Sequence, residues 1–345
     1  MADLIRIDGS TGSSAGQRLR AALALSIGTG QGFEMVEIRP RHPRPGLEPH
    51  HVATVRALAL VSEAGVGGVF DGSPELRFEP GAVRGGRFRF ELASGGAATL
   101  LGQVTATALG LADSESEMAV TGPTHLPSSP AYHYLAGHWA ALVGKLGLDV
   151  RYHLERAGFH PPAGGEHGAA VQPWRRPGSL GLDERGELVS VRASLGVARL
   201  GEDHASRLEQ AVRHRLWETR RLEAEWRREE FPSASPGSFV MLEAVFERGR
   251  AAWCPLGERG VPPEQLGDRV ARRLLAFLGG EASVDAEVAD QLVVPLALAG
   301  GGGSFATPAL TPHLLGVVET AQRFGVKVRV SGRSGGPGTV EVERC

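Results

Sequence analysis

Hydrophobic and polar positions along the first part of the chain change period several times, between two residues and about 3.6 residues. The two-residue period predicts strands, and the longer period predicts amphipathic helices that bury one face. Strands are predicted at residues 4–8, 35–39, 75–79 and 87–92, and helices at 17–27 and 50–64. The predicted order is β-α-β-α-β-β.

A similar order recurs twice further along the chain, in a second unit from Ser94 and a third unit after Asp285. The second unit has predicted helices at 99–109 and 131–146 and strands at 117–120, 149–154 and 168–173. The third has predicted helices at 286–298 and 313–324 and strands at 304–306, 327–331 and 339–342. Three units of similar order indicate an internal structural repeat and an α+β fold.

Residues 182–282 differ in character from the chain on either side. They contain a predicted helix at 205–230 that is dense in arginine and glutamate, a strand at 238–246 and a helix at 263–278. A segment of about 100 residues can fold as a subdomain. We therefore predict an inserted α/β subdomain at 182–282, between residues 1–181 and 283–345. Its charged helix is best explained as a solvated face with pairs such as Glu209 with Arg213, in preference to an RNA-binding surface.

Composition narrows the class of protein. The chain has 42% hydrophobic and 22% charged residues, which is ordinary for a globular protein. Cys254 and Cys345 form no metal-binding or redox spacing, the N-terminus lacks a signal-peptide pattern, and no apolar run reaches the length of a membrane span. We therefore expect a cytoplasmic protein without membrane association. The net charge of −2 excludes a general basic field for nucleic acid.

His313 stands at the predicted start of a helix whose apolar side is formed by Leu314, Val317, Val318 and Ala321. The unpaired N–H groups and the positive dipole end of a helix start disfavour imidazolium and attract phosphate. A neutral imidazole beside a bound phosphate can attack phosphorus. A capping or surface role explains most histidines in such positions, so the local sequence alone leaves both interpretations open.

Two glycine-rich stretches, residues 9–16 and 300–303, could also bind phosphate through their backbone N–H groups. The first stretch lacks the glycine spacing of a dinucleotide fingerprint and the Gly-Lys-Ser/Thr of a P-loop. Tight turns remain the simpler explanation for both.

Prolines hold residues 38–49 extended and stiff. Such a segment would present Arg39, Arg41 and Arg44 as fixed donors to phosphate oxygens, although a rigid solvated connector explains it equally well. His50 and His51 follow directly. Two adjacent histidines cannot easily face one ion, so no zinc site is predicted.

Five short motifs occur in one order along most of the chain. They are Ile7-Asp8-Gly9 with Gly16-Gln17-Arg18-Leu19-Arg20, Ile38-Arg39 with Pro45-Gly46-Leu47 and His51, Gly158-Phe159-His160-Pro161 before Gly164-Gly165, Ala289-Asp290-Gln291-Leu292-Val293 with Pro295-Leu296-Ala297-Leu298-Ala299-Gly300, and His313-Leu314-Leu315. In this order and spacing, the sequence resembles the RNA 3'-terminal phosphate cyclase family.

The resemblance implies three βαβαββ repeats like the C-terminal domain of translation initiation factor three, with a smaller inserted α/β domain. It also implies an ATP-dependent reaction in which His313 attacks the α-phosphorus of ATP and carries AMP. The AMP then passes to an RNA 3'-terminal phosphate. The neighbouring 2'-hydroxyl displaces it and leaves a 2',3'-cyclic phosphate.

The same resemblance implies the residues of the site. The ATP pocket would be formed by Gln103, Pro130, Tyr134, Glu287, Val288, Ala289, Asp290 and Gln291, and the phosphates would be bound by Arg20, Arg39 and His51. Gln103 lies on an apolar helix, where an interhelical hydrogen bond explains a polar side chain as well as a ligand does. A divalent metal, Mg²⁺ or Mn²⁺, is expected with ATP. The loop glutamate that the family associates with this metal corresponds to Ser13, so its ligands stay open.

Two other functions are weighed against this one. A non-catalytic cyclase-like protein that binds RNA or assists assembly would typically lack the nucleophilic histidine, whereas His313 is present. An enolpyruvyl transferase of related architecture would need six repeats, for which the chain is too short. The expected partner is an RNA with a 3'-terminal phosphate, and no obligate protein partner is indicated.

Overall fold

The computed structural model describes residues 4–10, 15–92, 95–159, 164–174 and 178–344. Within those ranges the chain forms four four-stranded sheets, eight α-helices and one π-helical segment. Each sheet combines parallel and antiparallel neighbours and is packed against helices, so the architecture is α+β. None of the helices in these ranges is long and apolar enough to cross a lipid bilayer.

The first sheet is built from the N-terminal part of the chain. Its strands are β1 (Ile5–Asp8), β2 (Phe33–Val36), β3 (Gly65–Gly67) and β4 (Leu76–Glu79), and its helices are α1 (Ala15–Thr29) and α2 (Pro49–Val61). The order across the sheet is β1-β2-β4-β3, with β1 parallel to β2 and the other neighbours antiparallel. Burial alternates along β4, where Leu76 and Phe78 are buried, so one face of the sheet carries the core.

The second sheet repeats this arrangement. Its strands are β5 (Arg87–Glu91), β6 (Ser116–Gly122), β7 (Val150–Arg156) and β8 (Gly165–Val171), and its helical segments are α3 (Ala98–Leu109), the π-helix Tyr134–Trp139 and α4 (Ala140–Lys145). The order is β5-β6-β8-β7, with only the first pair parallel.

A short strand, β9 (Leu180–Leu182), precedes the inserted segment. The insert contains β10 (Leu188–Ala198), α5 (Glu202–Arg220), β11 (Glu225–Glu230), β12 (Gly237–Phe246), β13 (Arg250–Trp253) and α6 (Pro263–Leu278). Its sheet has the order β11-β10-β12-β13 and its own hydrophobic cluster, which includes Leu195, Leu208, Leu242 and Leu274. The predicted pair between Glu209 and Arg213 is present at 2.7 Å. The proposed subdomain limits at 182 and 282 stay a prediction.

The third sheet combines β9 with the C-terminal part of the chain. Its remaining elements are α7 (Ala286–Ala299), β14 (Gly303–Thr307), α8 (Pro312–Arg323), β15 (Val328–Gly332) and β16 (Gly338–Val342). The order is β9-β14-β16-β15, again with only the first pair parallel. The three sheets therefore share one strand order.

Three differences between the predicted and observed elements affect how the units are assembled. The strand predicted at 87–92 opens the second sheet as β5, and the first sheet closes instead with the Gly-Val-Gly strand β3. The helix predicted at 205–230 ends at Arg220, because Arg221 adopts a left-handed conformation and the chain then pairs with β10 as β11. The third unit begins before the insert, with β9.

Helix α1 joins the sheets into one core because it packs against α3, α7 and α8. Leu23 and Leu25 of α1 are fully buried. Gly28 allows a close approach to α7, since a Cβ atom at this position would lie 2.1 Å from Leu298 Cδ2. This helical layer brings polar residues from distant parts of the chain to one cavity.

We expect Gly46→Ala to destabilise the fold by about 2–4 kcal/mol, since the position combines backbone strain with steric overlap. Gly46 has a φ of +80°, and a Cβ atom there would lie 2.2 Å from the carbonyl oxygen of Gly72. Gly30→Ala is the matched control, because Gly30 has a φ of +71° and open space around it. It should cost only about 1–2 kcal/mol. Urea unfolding of both variants measures the difference, and equal costs would contradict the steric argument.

Candidate active site

A cavity of about 850 Å³ opens where α1, α3 and α7 meet the start of α8 and part of the insert. This volume is within the range of small-molecule sites. Eight of the twelve predicted site residues line it: Arg20, Gln103, Pro130, Tyr134, Glu287, Asp290, Gln291 and His313. Residues from three different sheet units therefore meet at one site.

His313 is exposed in the first turn of α8, on the cavity wall. Thr311 caps this helix, since its side chain accepts a hydrogen bond from the Leu314 N–H. His313 Nδ1 lies 2.8 Å from Gln17 Oε1. An amide oxygen can only accept, so Nδ1 carries the ring proton and a neutral ring keeps a free lone pair on Nε2. The second ring nitrogen is therefore available as a nucleophile.

The side chain of Gln17 connects His313 to Asp290. Its amide oxygen accepts from the histidine. Its side chain also lowers the pKa of the Asp290 carboxyl group, against the effect of burial. Gln17 belongs to one of the sequence motifs, but the list of predicted site residues omitted it.

Asp290 is the carboxyl group of the cavity with the largest electrostatic perturbation. Burial raises its pKa to about 7, against the lowering effects of the Gln17 hydrogen bond and the Arg20 charge. Its Oδ1 is buried and has no hydrogen-bond partner among the residues that the structure describes. Burial also lowers the pKa of Arg20 to about 10, which leaves this side chain positively charged at neutral pH. The cavity thus holds a cation beside a carboxyl group that titrates near neutrality.

Gln103 and Gln291 both line the cavity, and their side chains are hydrogen-bonded to each other. Gln103 Nε2 donates to Gln291 Oε1 at 2.6 Å, which links α3 to α7. Gln291 Nε2 in turn donates to the Glu287 carbonyl at 2.6 Å. Gln103 therefore forms the interhelical hydrogen bond offered as one explanation and also lines the cavity, while its role as a ligand stays a prediction.

The other predicted pocket residues have different positions. Tyr134 is buried in the wall, and its hydroxyl group donates to Asp285 at 2.7 Å. The Pro130 carbonyl accepts from Thr99 at 2.7 Å. Val288 and Ala289 are fully buried within α7 and are absent from the described lining of the cavity. These two residues therefore contribute to the packing of α7 and not to the described lining of the cavity.

The insert contributes a wall that local sequence patterns did not reveal. Cys254, Glu258, Arg269 and Arg273 line the cavity, and Arg273 Nη2 donates to Glu287 Oε1 at 2.5 Å. Burial raises the pKa of Glu287, although the Arg273 charge opposes this effect. No motif marks these insert residues, because their role depends on how α6 and the segment after β13 pack against α7.

A family model described as RTC, RNA 3'-terminal phosphate cyclase, matches residues 11–330 of this chain. The chain belongs to this family. Three curated relatives named RNA 3'-terminal phosphate cyclase come from Ralstonia nicotianae, Pseudomonas fluorescens and Salmonella enteritidis. They are 38%, 37% and 34% identical to the chain over 94%, 96% and 94% of its length and 92%, 95% and 94% of their own.

Solved structures give a weaker likeness. The enolpyruvyl transferase NikO from Streptomyces tendae aligns with a TM-score of 0.37 and 11% identity, and this chain spans 48% of its length. A likeness at this level identifies neither a fold nor an activity.

Two parts of the family motifs lie outside the described residues: Ser13 in the first loop, and His160 and Pro161 in the central motif. The preceding glycine of the central motif is held in place, because the Gly158 N–H donates to Thr124 Oγ1 at 2.9 Å.

Arg39 is held within the chain. It donates to Glu48 Oε1 at 2.7 Å and to the Gly46 carbonyl at 3.3 Å, and it lies 2.5 Å from His42 Nδ1. It is absent from the described lining of the cavity. A role of this family residue in phosphate binding stays a prediction, as does that of His51.

Glu48, His50 and His51 form the one described group of side chains that could hold a metal ion, with ligating atoms within 4.8 Å of one another. The rings of these two adjacent histidines lie 4.1 Å apart, beside the N-cap residue Glu48. That they hold no zinc ion stays a prediction. His51 Nδ1 accepts from the Glu48 N–H at 3.1 Å, and burial lowers the pKa of His51 to about 2. The neutral ring thus carries its proton on Nε2, which suits an anion better than a metal.

The position of His51 agrees with an anion beside the first loop. A Cβ atom on Gly16 would lie 2.6 Å from His51 Nε2 and 3.5 Å from Arg20 Nη1. Gly16 itself lines the cavity. The proton on Nε2 of His51 and the Arg20 guanidinium therefore converge on the edge of the cavity.

Proposed function

We propose that this chain is an ATP-dependent RNA 3'-terminal phosphate cyclase that works through an adenylated His313. Membership of the family and the activity in the names of the curated relatives support the class of reaction. One observation carries the mechanism. His313 faces the cavity with its proton held on Nδ1 by Gln17, which leaves Nε2 free to attack.

In the first step, Nε2 of His313 attacks the α-phosphorus of ATP. A P–N bond forms, the P–O bond to pyrophosphate breaks, and the proton stays on Nδ1, which keeps donating it to the Gln17 amide oxygen. In the second step, an oxygen of the RNA 3'-phosphate displaces the histidine and takes the AMP. In the third, the 2'-hydroxyl attacks the phosphorus of the 3'-phosphate, loses its proton to solvent and expels AMP, leaving the 2',3'-cyclic phosphate.

The residues of the cavity have complementary roles in this proposal. Gln103, Pro130, Tyr134, Glu287 and Gln291 would surround the nucleoside, while Val288 and Ala289 shape α7. Arg20 would bind the phosphates of ATP, and Arg39 and His51 would bind phosphate at the edge of the cavity. The charge of Arg20 and the donor on His51 Nε2 support this division.

We propose Asp290 as the residue that would hold a divalent cation in the cavity. A hard cation takes carboxylate oxygens, and Asp290 Oδ1 is a buried carboxyl oxygen without a described partner. Asp290 would hold the ion, which would neutralise charge on the triphosphate when bound.

The finer structural assignments follow from the same proposal. We take the three sheets of equal strand order as repeats of the type found in the C-terminal domain of translation initiation factor three, and residues 182–282 as a subdomain inserted after the first strand of the third. A location in the cytoplasm agrees with substrates that are RNA and ATP. The retained His313 favours the enzyme over a non-catalytic RNA-binding protein.

The test uses a short RNA whose 3'-terminal phosphate carries the label, mixed with the protein, ATP and Mg²⁺ or Mn²⁺. We expect the label to become resistant to phosphatase as the cyclic phosphate forms. The matched control is the same RNA with a terminal 2'-deoxyribose, which lacks the attacking hydroxyl and should instead accumulate an adenylated end. RNA that is bound without ATP dependence and keeps a phosphatase-sensitive phosphate would contradict the proposal and favour the non-catalytic alternative.

A further inference from the structure

A chain of hydrogen-bonded side chains runs from the sheet of the insert to the wall of the cavity. Arg250 of β13 donates to Glu243 of β12 at 2.9 Å, and the other Glu243 carboxylate oxygen lies 3.1 Å from His138 Nδ1. His138 Nε2 lies 2.8 Å from Asp285, which also accepts from the Tyr134 hydroxyl group at 2.7 Å. The chain therefore connects two strands of the insert to the π-helix and to the start of α7.

Most members of this chain are buried, and its charged members alternate in sign. His138 and Asp285 are fully buried, and Glu243 is 6% exposed. Burial alone would lower the pKa of His138, but its hydrogen bonds to Asp285 and Glu243 outweigh that effect and raise it. The same contacts keep the pKa of both carboxyl groups below the ordinary values despite burial. Positive Arg250 and His138 thus alternate with negative Glu243 and Asp285.

Asp285 connects this chain to the cavity in two ways. It is the N-cap of α7 and accepts from the N–H groups of Glu287 and Val288 at 3.0 and 2.9 Å. It also accepts from the Ala252 N–H of β13 at 3.1 Å. The first turns of α7 carry Glu287, Asp290 and Gln291, all of which line the cavity.

We propose that Glu243 and His138 are positioning residues through which the inserted sheet sets the affinity of the cavity for its nucleotide. They hold Asp285, and Asp285 holds both the start of α7 and the Tyr134 ring. The insert thereby positions the nucleotide-binding residues indirectly. Neither the Glu243 nor the His138 side chain belongs to the described lining of the cavity. This inference rests on the nucleotide site proposed above.

A purely structural role makes a different prediction. A buried ion pair that only supports the core would lower stability when broken, and the folded protein that remains would bind ATP normally. A positioning role changes the half-saturating ATP concentration, because α7 and Tyr134 shift relative to the nucleotide. The two roles can therefore be distinguished by measuring KM and kcat separately, since only a positioning role changes the KM for ATP.

The experiment compares Glu243→Gln with Glu209→Gln. Glu209 is 8% exposed, lies in the insert like Glu243 and bonds two charged partners, Arg213 and Arg228, but it has no described connection to Asp285. In cyclisation assays at varied ATP, we expect Glu243→Gln to raise the KM for ATP about tenfold with kcat changed less than about threefold. Glu209→Gln should leave KM within about twofold of the wild type, at a similar loss of thermal stability.

Tyr134→Phe is the second variant, because it removes one hydrogen bond to Asp285 and leaves net charge and ring volume almost unchanged. It should raise the KM for ATP in the same direction, and the double variant with Glu243→Gln should show less than the product of the two effects. Wild-type KM in Tyr134→Phe, or equal KM for Glu243→Gln and Glu209→Gln, would overturn the inference. A wild-type protein that neither binds ATP nor cyclises RNA would overturn the proposed function itself, and this inference with it.

Discussion

Replacing His313 with alanine is expected to reduce covalent AMP on the protein to background, a loss on the order of 10³-fold or more. The expectation follows from the contact between His313 Nδ1 and Gln17, which leaves Nε2 as the attacking atom on the cavity wall. Alanine has no nitrogen to form the P–N bond, and removal of a nucleophile is not compensated by the rest of a site. The measurement is acid-labile radioactivity on the protein after incubation with ATP labelled at the α-phosphorus.

His214→Ala is the matched control for this experiment. His214 is an exposed histidine on α5 of the insert and does not line the cavity among the described residues. This variant should be labelled as strongly as the wild type. Equal labelling of His313→Ala and the wild type would place the AMP on another residue and would refute the assignment of the nucleophile.

Asp290→Asn should produce a large change in the pH dependence of stability. The folded-state pKa of Asp290 is raised to about 7, whereas an unfolded aspartate has a pKa near 3.8. Because the folded state holds this proton more tightly, its contribution to stability is fully present below about pH 4 and is lost as the pH rises through about 7. Asparagine cannot ionise. The variant should therefore gain up to about 4 kcal/mol of unfolding free energy over the wild type between pH 4 and pH 8.

Urea unfolding of the wild type and the variant at several pH values measures this difference. Asp113→Asn is the matched control, since Asp113 is an exposed carboxyl group that is absent from the described lining of the cavity. Adenylation by Asp290→Asn should fall about tenfold or more even where its stability is higher, because the variant lacks the carboxylate proposed for the metal. A difference in stability that stays constant from pH 4 to pH 8 would show that Asp290 ionises as an ordinary surface aspartate.

Helices with a clear apolar face were the most predictable part of the fold. The insert helix α6 was predicted with its observed bounds, and α8 within one residue at each end. The strand β3 was missed because Gly-Val-Gly shows no alternation and forms only by pairing with β4. Residues 225–230 were predicted as helix because their charges suit either structure, and only the pairing with β10 makes them a strand.

The residues of the site differ in the same way: some could be predicted from local motifs, and others depend on tertiary packing. The start of a predicted helix pointed to His313, and the family resemblance pointed to Arg20 and Asp290; the structure brings all three to one cavity. Sequence could not indicate Arg273 or Cys254, because they reach the cavity only through the packing of the insert. The arrangement of Glu48, His50 and His51 was likewise not predicted, since the mutual hydrogen bonds of Glu48 and His51 at the start of α2 do not use the usual capping residues.

The position of the insert within the third sheet has a consequence for the order of folding. Strand β9 must pair with β14, yet the whole insert lies between them, so their encounter carries a high loop-closure cost in an extended chain. The insert can remove that cost. Arg248 and Gly249 bond to the Arg185 carbonyl, and Arg250 bonds to the Ser283 carbonyl, so its two ends meet at one hairpin. During synthesis, the first two sheets can therefore form early, whereas the third must wait until the insert has closed.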